Sequence, residues 1–152
     1  MQHCSQPLPL GFALVEVTRL LRSHIDRAFE SAGLGLTVGE ARTLAYADQY
    51  PGLRQSALAE RIGVEPMTLV AYLDRLEAHG LVRREPDPTD RRAKIVVLTE
   101  AAGPAVRRIH RLATEARREA TRGLSDEQIE TLREILGQMR GNLARRGEEV
   151  PA

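Results

Sequence analysis

The strongest structural signal in the chain lies in residues 55–99, which read QSALAERIGVEPMTLVAYLDRLEAHGLVRREPDPTDRRAKIVVLT. Apolar residues at helical spacing predict a short helix over residues 55–62, and Gly63 closes it. Pro66 is then suited to the first turn of a second helix, because backbone amides in that turn have no hydrogen-bond partner within the helix. A stripe of leucines marks the inner face of this second helix: Leu69, Leu73 and Leu76.

The rest of the segment is typical of a β-hairpin. Residues 81–85 and 94–98 form two strand-like runs, and the second run is rich in β-branched residues. The intervening loop, PDPTDRR, is stiffened by prolines and charged at its tip. Helix, turn, helix and hairpin in this order make the winged helix-turn-helix layout, in which the second helix enters the DNA major groove.

Helical patterns flank this module on both sides. Thr37 and Glu40 form a capping box that begins one helix, and Ser125 and Gln128 form another that begins the last. Thr99 is expected to cap the fifth helix, which lies between the wing and the last helix. Pro104 is expected to delay the regular part of that fifth helix by a few residues. The three outer helices carry narrow apolar stripes: Leu10, Leu14, Val17, Leu21, Ile25, Ala28 and Ala32; Val106, Ile109, Ala113, Ala116 and Ala120; and Ile129, Leu132, Leu136, Met139 and Leu143.

Such stripes pack either within one chain or against a second copy. We favour a dimer, because the central module alone cannot cover three stripes. The predicted fold class is mainly α (α+β), a winged helix-turn-helix with a two-stranded wing between N- and C-terminal dimerisation helices. The predicted organisation is a disordered N-terminus over 1–9, dimerisation helices over 10–35 and 100–146, the DNA-binding module over 36–99, and a loose tail over 147–152.

The composition sets outer limits on function. The 152 residues suit one domain, and 42% hydrophobic residues suffice for a core. A net charge of +1 does not by itself indicate nucleic acid. Lys94 is the single lysine, so arginine supplies the basic charge; this suits phosphate and guanine recognition, or reflects genomic base composition. No apolar run has membrane-spanning length and no signal peptide is evident, so we expect a soluble cytoplasmic protein without a membrane partner.

No enzymatic site is predicted. The four histidines are scattered without metal-ligand spacing, and there is neither a glycine-rich phosphate loop nor a nucleophile–base pair. We therefore expect no enzyme activity, metal or cofactor. Cys4 is the single cysteine, so no internal disulfide forms, and an inert thiol is the favoured interpretation.

Three motifs resemble those of the MarR family of bacterial winged-helix regulators: LAERIGV, TLVAYLDRLEAHGLVRR and DPTDRRAKIVVLTEAAG. The family's wing signature, D-x-R before a strand that ends in Leu-Thr, is matched by Asp90, Arg92, Leu98 and Thr99. The resemblance covers about residues 10–143. It implies a homodimer that joins through its first, fifth and sixth helices and binds successive grooves of a palindromic operator.

The resemblance also implies DNA-contacting residues. In the second helix of the motif, Thr68 could bond a base or phosphate, and Met67 and Val70 could touch a thymine methyl. Ala71 replaces the long polar residue that is common in relatives, and Glu65 stands where serine is commoner. The full set of candidates on this helix is Pro66, Met67, Thr68, Val70, Ala71, Tyr72 and, for phosphate, Arg75.

The wing is expected to supply a minor-groove reader. Arg92 would enter the groove, Asp90 would orient its guanidinium, and Arg91 would contact phosphate. Taken alone, the loop would be interpreted as a solvated turn. Further phosphate contacts are predicted at helix N-termini, from Gln55, Ser56 and Thr37.

We expect a transcriptional repressor that a small aromatic or phenolic ligand releases from DNA; the pocket candidates are His24, Arg42 and Tyr46. The peroxide-sensing branch of the family has a reactive cysteine before a Phe-Ala-Leu run, but Gly11 precedes that run here. Two alternatives remain open: a winged-helix protein-interaction module, and a redox-responsive regulator that uses Cys4.

Overall fold

The computed structural model describes residues 8–148, with side chains described for residues 8–144. Cys4, most of the N-terminus predicted to be disordered and the last four residues of the predicted tail lie outside this range. The described elements are α1 (Leu10–Ser31), α2 (Val38–Gln49), α3 (Gln55–Ile62), α4 (Pro66–Ala78), β1 (Val82–Pro86), β2 (Lys94–Leu98), α5 (Gly103–Ala120) and α6 (Asp126–Glu148). Because α6 continues to Glu148, residues 147 and 148 are helical rather than loose.

The winged module forms with the predicted elements in the predicted order. Gly63 takes a left-handed conformation (φ 75°) that ends α3 and turns the chain into α4. Strands β1 and β2 pair antiparallel, with Val82 opposite Leu98 and Pro86 opposite Lys94. The winged-helix fold class is therefore confirmed. The first strand begins one residue later than predicted, at Val82.

The chain divides into two units, residues 1–116 and residues 117–152. In the first unit, helices α2, α3 and α4 enclose a core of aliphatic side chains. Their leucines and Ile62 are fully buried, together with Ile109 of α5. Most of the apolar stripe of α5 is already buried within this one chain, so a second copy is not needed to cover it. The buried residues are Val106, Ile109, Ala113 and Ala116.

Thr99 does not cap α5 with its side chain. Its hydroxyl instead donates a hydrogen bond of 2.6 Å to the carbonyl of Gly80, which ties the end of β2 to the end of α4. A short 3-10 turn over Glu100–Ala102 then leads into α5, which begins at Gly103. The regular helix thus begins a few residues after Thr99, as predicted, but the proposed capping role of Thr99 is wrong.

The second unit contains helix α6. The Ser125 amide donates to the Gln128 side chain at 2.8 Å, and the Gln128 amide donates to the Ser125 hydroxyl at 3.2 Å, so the predicted capping box is present. Several apolar side chains of α6 are exposed: Leu132, Ile135, Leu136 and Leu143. No helix within residues 8–148 is both long enough and apolar enough to span a membrane.

Candidate DNA-binding surface

The wing loop is organised around the buried carboxylate of Asp87. This carboxylate accepts hydrogen bonds of 2.7 Å from both the amide and the hydroxyl of Thr89, and a longer one from the amide of Asp90. Arg54 donates to Asp87 from Nε at 2.5 Å and to the Thr89 hydroxyl from a terminal nitrogen at 3.1 Å. We call Arg54, Asp87 and Thr89 the wing latch, because they fasten the loop to the start of α3.

The backbone reinforces the wing latch. The amide of Val96 donates to the carbonyl of Leu53 at 3.0 Å, and Arg54 forms a β-bridge with Ile95. The chain just before α3 therefore adds to the two-stranded wing. From the sequence, Arg54 stands only at the N-cap of α3, where arginine is a poor capping residue, and nothing local indicates its role in the wing. The β-branched run of β2 was visible in the sequence, but its partner segment before α3 was not.

The wing latch gives stability a defined pH dependence. Bonds from Thr89 and then Arg54 hold the pKa of Asp87 well below its usual value. A carboxyl group with a lowered pKa contributes its full stabilisation above its unfolded pKa of about 3.9, and loses it as the pH falls. We expect Asp87→Asn to lower the free energy of unfolding at pH 6 and by a smaller amount at pH 3, because the loss begins at the unfolded pKa and is complete only below the lowered folded-state pKa. Denaturant unfolding of both proteins at the two pH values checks this; a pH-independent difference would contradict it.

The tip of the wing presents arginine to solvent. Arg92 is 98% exposed, and Arg91 is also exposed. The Asp90 carboxylate accepts the backbone amide of Arg92 at 3.1 Å, while the Arg92 guanidinium lies 4.0 Å from it. Asp90 therefore shapes the turn through the backbone, and the predicted direct hydrogen bond to the guanidinium is absent from this described loop.

The N-terminal end of α4 is open. Pro66, Met67, Thr68 and Ala71 are exposed, and Val70 is half-buried. Met67 stands out, because the residue is 75% exposed. Glu65 precedes the helix as its N-cap residue, without a capping hydrogen bond from its side chain. This surface has the position expected of a recognition helix.

The other two candidates on α4 are held against α2. Arg75 donates from Nε to the Glu40 carboxylate, which is only 3% exposed. The Arg75 guanidinium also lies 5.6 Å from the centre of the Tyr72 ring. Tyr72 is half-buried, and a Cβ atom added at Gly39 would overlap its ring. Tyr72 and Arg75 thus brace α4 on α2, although half of the Arg75 side chain remains exposed.

The predicted helix N-termini are partly committed to internal bonds. The Thr37 hydroxyl accepts the Glu40 amide at 3.3 Å, and the Glu40 carboxylate accepts the Thr37 amide at 2.9 Å. The capping box of α2 is therefore present, and Thr37 remains exposed. At the start of α3, Ser56 is exposed and Gln55 is half-buried.

The structure places the three pocket candidates in different surroundings. Arg42 donates to Asp26 at 2.5 Å and so links α2 to α1. The Tyr46 ring lies 6.2 Å from that of Tyr50, centre to centre, and His24 is exposed on α1. Within the described part of the chain, no group of three or more histidine, cysteine or acidic side chains could hold a metal ion.

An open recognition helix, a three-helix core behind it and a latched arginine-tipped wing together define a winged helix-turn-helix DNA-binding protein. Residues 36–94 match the family model described as MarR family. The winged-helix module over this segment is therefore that of the MarR family of transcriptional regulators.

Three solved structures illustrate this similarity. A MarR-family transcriptional regulator from Rhodococcus sp. RHA1 is 27% identical, with a TM-score of 0.71 over 86% of this chain and 91% of that one. A MarR-family regulator from Silicibacter pomeroyi is 25% identical, with a TM-score of 0.75 over 88% and 89%. CouR from Rhodococcus jostii RHA1, solved with p-coumaroyl-CoA, is 26% identical, with a TM-score of 0.67 over 95% of each chain.

Proposed function

We propose that this protein is a homodimeric repressor that binds a palindromic DNA operator and is released by a small ligand. The observation that carries the proposal is the latched wing, which exposes Arg92 in the same unit as the open face of α4. A rigid loop lowers the entropy cost of placing a cation in a narrow minor groove. With DNA as its partner, the protein would act in the bacterial cytoplasm.

Selection of bound duplexes from a random DNA pool tests the DNA-binding part. We expect a palindromic sequence to be enriched, and its affinity to fall steeply with salt because arginine–phosphate contacts release counterions. Weak binding that hardly responds to salt would instead support the protein-interaction alternative. The Cys4 alternative predicts that Cys4→Ser abolishes an oxidant response of DNA binding.

The dimer part rests on apolar side chains that the single chain leaves in water. Helix α1 exposes Leu10, Phe12, Val15, Val17 and Leu20. Helix α6, in the second unit, exposes a separate set that includes Leu136 and Leu143. A second copy would remove these surfaces from water, as the resemblance implies for the terminal helices.

Disruption of the α6 face tests the dimer. We expect the wild-type chain to sediment as a dimer at micromolar concentration, and Leu136→Asp to shift it toward monomer. Glu130→Gln, on the same helix, serves as a control that keeps the apolar residues. A wild-type monomer that still binds its operator with full affinity would refute this part.

For the ligand, we propose an aromatic acid or its thioester. CouR is a relative of the same fold that was solved with an aromatic acyl-CoA, p-coumaroyl-CoA. A ligand that releases the protein from DNA must bind the free protein more tightly than the DNA-bound protein. By reciprocity, DNA must weaken ligand binding by the same factor as the ligand weakens DNA binding. Thermal-shift screening with aromatic acids and their CoA thioesters should find a compound that raises Tm and weakens operator binding. His24, Arg42 and Tyr46 remain our candidates for its pocket.

A further inference from the structure

The surface that α4 would present to DNA lacks free long polar side chains at its N-terminal end. Its five N-terminal candidates, Pro66, Met67, Thr68, Val70 and Ala71, comprise four apolar side chains and one hydroxyl. The two longer polar candidates, Tyr72 and Arg75, are engaged by Gly39 and Glu40 of α2. None of the five can form the forked pair of hydrogen bonds by which arginine or lysine reads guanine.

The most prominent side chain on this surface is apolar. Met67 is 75% exposed, so water covers most of a flexible thioether chain in the single protein. Ala71 lies one turn further along and is also exposed. In the major groove, the apolar group available to such side chains is the 5-methyl group of thymine.

The neighbouring charges indicate duplex DNA as the partner of this apolar surface. Arg91 and Arg92 are exposed on the wing of the same unit, and half of the Arg75 side chain reaches solvent. Arg91 and Arg75 can hold a phosphate backbone and Arg92 can enter the minor groove, so none of the three reads the major-groove edges that face α4. Glu65, at the start of α4, can only accept hydrogen bonds when ionised, which favours the amino groups of adenine or cytosine over the acceptors of guanine.

We infer that α4 selects its operator mainly through thymine methyl groups, with Met67 as the chief specificity-determining residue and without a guanine contact from this helix. The inference rests on the proposed DNA-binding function. It states which base pairs α4 should prefer in the major groove, and the fold alone does not give that preference. The operator half-site facing α4 should therefore contain A·T pairs whose thymines meet Met67 and Ala71.

Replacement of thymine by deoxyuridine tests this directly, because the two bases differ by the 5-methyl group alone. The probe is the duplex selected from a random pool by the full-length protein, with each thymine of one half-site replaced in turn. We expect Kd to rise about fourfold at one or more positions, the factor that corresponds to about 0.8 kcal/mol for one buried methyl-sized group.

A pair of variants assigns the contact to its residue. Met67→Ala should bind the thymine duplex more weakly and should lose the sensitivity to deoxyuridine at one position, as a double-mutant cycle requires. Met67→Leu, which keeps an apolar side chain, should retain that sensitivity. Because Met67 is largely exposed, neither change removes a core contact.

The outcomes separate this inference from the proposed function. An enriched operator whose deoxyuridine forms all bind within twofold of the original would overturn the inference and leave DNA binding intact. An enriched operator that requires guanine opposite α4 would overturn it in the same way. If no sequence is enriched from the pool, both the inference and the proposed function fail.

Discussion

Substitution of Arg92 by alanine should weaken operator binding by about 1–3 kcal/mol, or roughly 5- to 150-fold in Kd. The Arg92 side chain is 98% exposed in the free protein, so its removal breaks no packing contact. In the proposed complex it would enter a narrow minor groove, where the potential is most negative. Fluorescence anisotropy with a labelled operator at fixed salt measures the change.

Two controls give that result its meaning. Arg122→Ala removes an exposed arginine whose ion pair is with Glu119, at the end of α5, and should leave Kd unchanged. Sedimentation and Tm of Arg92→Ala should match those of the wild type, because only a solvated side chain is lost. An unchanged affinity with Arg92 removed would show that the wing does not read the operator.

Glu40→Ala should destabilise the fold by about 2–3 kcal/mol, through loss of a capping box and of a charge-assisted hydrogen bond. For a chain of this length that corresponds to a fall in Tm of about 4–12 °C. Burial of Glu40 disfavours its charge, but the bonds from Arg75 and Thr37 outweigh burial and lower its pKa. The ionised form is therefore the one that stabilises α2 and braces α4. Thermal unfolding followed by circular dichroism, at one fixed protein concentration, measures the shift.

Matched variants divide this effect between its two sources. Glu40→Gln keeps an oxygen that can accept the Thr37 amide, so it should retain the cap and lose only the charge. Arg75→Ala keeps the capping box and removes the ion pair, and its cost should be modest because half of that side chain is solvated. A Tm of Glu40→Ala within 1 °C of the wild type would contradict the bracing role of Glu40.

Much of the architecture follows from local sequence signals. The end of α3 and the start of α4 were predictable, because Gly63 ends one helix and Pro66 begins the next through the local backbone preferences of glycine and proline. The capping boxes at Thr37 and Ser125 were predictable for the same reason, since each joins residues three apart. The fold class and the resemblance to the MarR family are confirmed, while the assignment of DNA-contacting residues remains a prediction.

Interactions between distant residues could not be predicted in this way. Arg54 and Asp87 lie 33 positions apart, and Glu40 and Arg75 lie 35 apart. Periodicity places each residue on a face of its own helix or in its own loop, but it does not identify a partner on another element. Arg75 was consequently assigned to phosphate alone, and the pairing that withdraws its Nε from DNA became visible only in three dimensions.

The wing latch also bears on how a ligand could control DNA binding. A hairpin joined to its domain by its strand ends alone would respond little when a helix beneath it tilts. Here the approach to α3 is bonded to both the loop and β2, through Arg54 and the carbonyl of Leu53. In the proposed complex, a ligand that displaces α3 by a small angle would therefore also move Arg92, so that one small movement would weaken both the α4 contact and the wing contact with DNA.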